Sequence, residues 1–205
     1  EYIFHMKIEK KLRSKLKNTG RKYNMINEFR IPWEKYGIIA YLAKAMDGHD
    51  AQFGKTSLQK IIYILQEVYQ VNVGYKFILY NYGPYSADLA TDLEYIAALN
   101  GVDVSWVNTG GYRIKPDSDV DTFIEKSKDF LDKHKNDIDK AIETFGNLSA
   151  KELELRATII YFVNDCGIRE DSEVADKIHQ LKPYFKEDKI RSTIEELKSL
   201  GVIQL

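Results

Sequence analysis

A chain of 205 residues with 44% hydrophobic and 30% charged side chains has room for one substantial core or two tightly packed subdomains. Its formal net charge of −1 excludes a globally basic nucleic-acid-binding surface, and the lack of any run of about eighteen apolar residues argues against a membrane span. Cys166 is the sole cysteine, so neither an internal disulfide nor a thiolate metal cluster can form, and a reducing, cytoplasmic home fits.

The charge is unevenly spread. Residues 7–30 carry nine Lys or Arg against two Glu, whereas residues 117–143 carry nine Asp or Glu against five Lys. Ile8, Leu12 and Leu16 recur at intervals of four among Lys10, Lys11 and Arg13, a basic amphipathic helix that suits nucleic acid, an acidic membrane or a partner protein, or packs lightly on its own domain, with too few apolar positions for membrane insertion. Thr19-Gly20 stops it, and the five residues before Met6 are left out of the functional reading. The opening residues do not form a secretory apolar stretch.

Pro32 suits the first turn of a helix over Trp33–Met46, because its missing amide hydrogen costs little there. Asp47-Gly48-His49-Asp50 breaks the pattern as a solvated turn; its carboxylates and imidazole lack the further spaced ligands that a metal needs.

The next stretch, Lys55 to Gly101, organises the chain. Leu58, Ile61, Ile62, Leu65 and Tyr69 give a helix with one buried face, with Thr56 or Ser57 available to cap it. Gly54-Lys55-Thr56 has the letters of a phosphate-binding loop, but position 49 is His where the loop needs Gly. Lys55 and Lys60 are candidate contacts for phosphate or an acidic partner, and Gln59 and Gln66 read as helix-surface or interhelical hydrogen-bonding groups. Tyr75 to Tyr82 is aromatic and β-compatible, and Gly83-Pro84 ends it. Ser86 caps a second helix with Leu89, Leu93, Ile96 and Ala97 inward. The rings around Gly83-Pro84 suit either a core between helices or an exposed platform. Gly83-Pro84 is expected to set Tyr82 and Tyr85 on different sides of the turn, one facing the helical core and the other a partner.

GKTSLQKIIYILQ and YNYGPYSADLATDL, with the later LELRATIIYF and LKPYFKEDKI, resemble the YwgA-like proteins and the related Panacea superfamily, whose best-known branch is the SocA-like antitoxins. The likeness covers about Pro32 to Leu205. It implies a mainly helical fold with toxin-neutralising, phage-defence or regulatory associations, and it brings no catalytic motif to transfer.

After Asn100-Gly101, Val102–Val107 and Gly110–Ile114 pair as a hairpin across Asn108-Thr109, giving the unit a winged-helix likeness. Trp106, Tyr112, Arg113 and Lys115 would make an aromatic and basic wing, although Asp88, Asp92 and Glu94 leave the preceding helix poor in positive charge. One long helix is expected over Val120–Phe145, with Asp129, Asp132 and His134 as surface charge. Ser149 and Glu152 form a capping box for a central helix loaded on more than one face. Within it Arg156 either anchors an internal carboxylate or partner or snorkels to solvent, and Cys166 follows as a structural residue. Helices over Glu173–Leu181 and Lys189–Leu200 close the chain, with Glu195 and Glu196 weakening a nucleic-acid reading, and Val202–Leu205 ties the tail down.

The expected architecture is a mainly α-helical protein with a winged-helix-like centre and a small β-hairpin. It divides into a basic N-terminal helix and connector (1–30), a central unit (31–116) and a helical subdomain packed on it (117–205). The favoured function is a non-enzymatic protein-interaction or regulatory module, the resemblance adding an antitoxin or phage-defence association with a toxin as partner. Tyr82, Tyr85, Trp106 and Arg113 are its expected hot spots. The first alternative is a nucleic-acid-binding transcriptional regulator using Lys10, Lys11, Arg13, Arg113 and Lys115. The second is an enzyme, which would need His49, His134 or His179 beside carboxylates. No catalytic residue, metal or cofactor is assigned.

Overall fold

A computed structural model describes residues 31–49, 51–108 and 110–205. Lys10, Lys11 and Arg13, with the rest of the expected basic helix, lie outside the described residues. About 59% of what is described is helical, as the three-and-four spacing of apolar residues demands.

Helix α1 (Trp33–Ala45) is followed by α2 (Lys55–Glu67), a first hairpin of β1 (Ile78–Tyr80) and β2 (Gly83–Tyr85), and α3 (Ala87–Ala98). A second hairpin, β3 (Val102–Trp106) and β4 (Tyr112–Pro116), leads to α4 (Val120–Lys126), α5 (Lys128–Phe145), α6 (Ala150–Asn164), α7 (Asp171–Leu181) and α8 (Glu187–Ser199). The β3–β4 hairpin is the expected one, moved by two residues on its second strand. The β1–β2 hairpin is a correction: Gly83 and Pro84 do not merely end a strand but form the returning one, with Leu79 opposite Pro84 and Tyr80 opposite Gly83.

Helices α2 and α6 form the centre. Every residue from Ser57 to Leu65 and from Leu153 to Ile160 is buried, and the two helices pack on each other. Full burial of a Leu, Ile or Phe side chain contributes about 1.5–3 kcal/mol, so this pair anchors the hydrophobic core. The capping box forms at α6: Ser149 Oγ accepts from the Glu152 amide, and the Glu152 carboxylate accepts from the Ser149 amide. Ser86 likewise caps α3, whereas α2 starts at Gly54 with no side-chain cap, so neither Thr56 nor Ser57 serves there.

The long helix expected over 120–145 is broken at Ser127. Its hydroxyl donates back to the Phe123 and Ile124 carbonyls, a side-chain bond that competes with the helical ladder. Gly37 permits the break to sit against α1, because a Cβ on Gly37 would collide with Ser127 Oγ. Contacts of α1 with α4, and of α2 with α5 and α6, run across residue 116, and one core cluster draws on both sides of it.

Candidate functional site

The stretch that carries the β1–β2 hairpin is tethered to α2 on both sides of the hairpin. Gln59 and Gln66 lie seven residues apart on α2, which puts them on one face two turns apart. Each binds one backbone residue twice. Gln59 Nε2 donates to the Ser86 carbonyl and Gln59 Oε1 accepts from the Ser86 amide, at 2.9 and 2.8 Å. Gln66 does the same to Tyr75, both bonds at 2.9 Å. The stretch that carries the hairpin is thereby fixed at both ends, and amide pairs of this kind, the Gln59–Ser86 one buried, add to the few ladder bonds of a short hairpin.

A buried polar cluster fixes the turn. Lys60 Nζ, on a residue 2% exposed, donates to the Pro84 carbonyl at 2.7 Å. Lys182 Nζ bonds the Asn81 carbonyl at 2.8 Å and the Glu154 carboxylate at 2.5 Å. The Tyr184 hydroxyl donates to the same carboxylate, and Thr158 Oγ1 donates to the Glu154 carbonyl. Gly83 sits over this cluster at φ +85°, where L side chains are disfavoured, and a Cβ there would lie 2.8 Å from Thr158 Oγ1. Burial pushes the Lys60 ammonium down to about 8; Glu154 opposes the shift and Lys182 adds to it. Burial and the bond to Glu154 push the Tyr184 hydroxyl up.

A cavity of about 320 Å³ opens between this hairpin, the start of α2 and α3. Tyr80, Tyr82 and Tyr85 rim it, Leu58, Leu89 and Leu93 line its wall, and Lys60 belongs to its lining. Tyr82 is 64% exposed and Tyr85 half-buried, so neither ring enters the core as the sequence reading expected; the buried part of the turn is Gly83-Pro84. The rings of Tyr80 and Tyr85 lie 5.7 Å apart across the hairpin, within the range of a favourable aromatic pair.

Trp106 and Arg113 belong to the other hairpin. Trp106, 65% exposed, faces Tyr112 edge-on at 5.3 Å, and Lys55 Nζ lies 4.2 Å from the centre of the Tyr112 ring. The register pairs Trp106 with Tyr112, Ser105 with Arg113 and Asp103 with Lys115. Since side chains alternate along a strand, the aromatic pair projects from one face and Arg113 and Lys115 from the other. The structure therefore joins Tyr82 and Tyr85 in one site and leaves Trp106 and Arg113 outside it.

Lys60, Glu154, Lys182 and Tyr184 were missed as a group by sequence reasoning. Glu154 carried a signal, since it stands in a helix apolar on all sides; nothing local marks Lys60 or Lys182 as its neighbour. Arg156, itself buried, grips the partly exposed Glu196 carboxylate through Nε and Nη2 at 2.6–3.0 Å rather than an internal one. Cys166 is exposed rather than structural. Among the described residues no cluster of three His, Cys, Asp or Glu could hold a metal ion, and no helix is long and apolar enough to cross a membrane.

Fold and site together define a mainly α-helical protein that presents an aromatic-rimmed pocket on a braced hairpin. The chain is 30% identical over 169 residues to the uncharacterized protein YwgA of Bacillus subtilis (strain 168), a match that spans 78% of this chain and 96% of YwgA. The chain belongs to the YwgA family. No family model matches it.

Proposed function

We propose that this chain is a non-enzymatic protein-interaction module whose docking surface is the β1–β2 hairpin and the adjoining end of α7. The supporting observation is the distribution of exposed apolar groups. Of the eight large hydrophobic residues exposed among the described residues, Ile78, Tyr80 and Tyr82 lie on the hairpin, and Leu181 and Tyr184 flank the Lys182 that bonds it. Aromatic anchors on a rigid base suit a partner because little ordering entropy is lost on docking. The antitoxin or phage-defence association implied by the SocA-like resemblance supplies the biological setting, with a toxin as partner. The test is a photo-crosslinking residue placed at Tyr82 and, separately, at Trp106, in cells that express the full chain. The expected result is a discrete protein adduct from position 82 that is lost on adding Tyr80→Ser. Equal adducts from both positions, or none from position 82, would overturn the reading.

A nucleic-acid-binding regulator is the second reading, favoured by the exposed Trp106–Tyr112 pair with Lys55 against it. It predicts duplex binding that weakens steeply with salt and is lost on changing Lys10, Lys11 and Arg13 to Ala.

A further inference from the structure

We infer that the cavity beneath the β1–β2 hairpin is a binding site for an organic monocarboxylate on a ring-sized apolar stem, with Lys60 as its anchor. Three cationic side chains are buried among the described residues: Lys60, Arg156 and Lys182. Arg156 has the carboxylate of Glu196, and Lys182 has that of Glu154. Lys60 makes one hydrogen bond, to a carbonyl, although an ammonium carries three donors, and it shares the Glu154 charge with Lys182. Glu154 is the sole buried carboxylate among the described residues, and Lys182 and Tyr184 already occupy it. The buried cluster thus holds two lysines against one glutamate, and a buried charge without a counter-charge is costly.

The missing anion can enter where Lys60 meets the cavity. Its volume of about 320 Å³ lies at the lower end of the range for small-ligand sites, about 300–1,000 Å³. The leucine walls and tyrosine rim suit an apolar ring or short chain above the charged group. A phosphate fits less well: Lys55, the other lining cation, has its ammonium over Tyr112, and Glu94 at the rim opposes a dianion. The site lies on the face of the proposed interaction surface but does not depend on it, since the carboxylate can come from a free metabolite or from the end of a partner's chain.

The test uses the purified full chain alone, so that it can fail while crosslinking at Tyr82 succeeds, or the reverse. Calorimetric titration compares 3-phenylpropionate with 3-phenylpropionamide, and the pentapeptide Gly-Gly-Gly-Gly-Phe as free acid with its C-terminal amide. Each acid is expected to bind at least tenfold more tightly than its amide, and Lys60→Met is expected to abolish that preference. Tighter binding by the peptide acid assigns the site to a chain terminus, and tighter binding by 3-phenylpropionate assigns it to a small molecule. Acid and amide binding equally to the wild-type chain, or neither binding, would overturn the inference whatever the variant does to folding.

Discussion

Lys182, just past the end of α7, places its ammonium 2.5 Å from the Glu154 carboxylate on α6, and both residues are buried. Removing one partner of such a pair leaves the other as an uncompensated buried charge, at a cost of about 3–5 kcal/mol. Lys182→Met is therefore expected to lower the unfolding free energy by about that amount in urea titrations. Adding Glu154→Leu together with Lys60→Met should recover much of the loss, because no buried charge is then left in the cluster to desolvate. A triple variant no more stable than Lys182→Met would show that the bonds to Asn81 and Tyr184, rather than the charges, hold the hairpin.

Gly83 meets two separate constraints, a left-handed backbone and the Thr158 hydroxyl. Gly83→Ala is expected to destabilise by about 1–3 kcal/mol, read as a lower midpoint in thermal unfolding. A wild-type midpoint would mean that the turn can relax away from α6.

The Lys60 ammonium gives stability a pH dependence of defined sign. In the fold it loses its proton near pH 8, and in the unfolded chain near pH 10.4, as for an ordinary lysine. Between these values the unfolded chain binds more protons, so this group's contribution to stability rises with pH. Relative to Lys60→Met, the wild-type chain should gain roughly 1.5 kcal/mol between pH 8 and about 9.5. Above about pH 10 the buried hydroxyls of Tyr36, Tyr63 and Tyr75, held protonated by the fold, lower the stability of both proteins alike. A flat difference between the two proteins across the window would show that Lys60 is not buried as a charge.

The fold was more legible in the sequence than the site, for a physical reason. Periodicity reports which face of a helix is apolar, so α1, α2, α3, α6 and α8 emerge within a few residues. Ser127 escaped because the break depends on its own hydroxyl and on Gly37, which lies ninety residues earlier in the chain. The rim residues Tyr82 and Tyr85 could be read because aromatics beside Gly-Pro stand out locally. The buried polar cluster under the turn could not, because Lys60, Glu154 and Lys182 come from three helical segments and become neighbours only when α2, α6 and the end of α7 pack.

Arg156 and Glu196 join α6 to α8 through a two-pronged contact. A lysine cannot reproduce the planar fork, so Arg156→Lys should cost about 1.5–3 kcal/mol in chemical denaturation, the worth of hydrogen bonds to a charged group. Wild-type stability in that variant would show that the charge alone suffices.

The claim that the braced hairpin is a recognition surface is tested most directly by affinity for the protein crosslinked at Tyr82, once purified. Tyr80→Ser with Tyr82→Ser is predicted to weaken that affinity by more than thirtyfold, about 2 kcal/mol, as befits a hot spot. The thermal midpoint should fall only by what the Tyr80–Tyr85 ring pair contributes, about 0.5–1.5 kcal/mol, since both substituted rings are exposed, and Trp106→Ser should leave the affinity unchanged. Undiminished affinity in the double tyrosine variant would contradict the account.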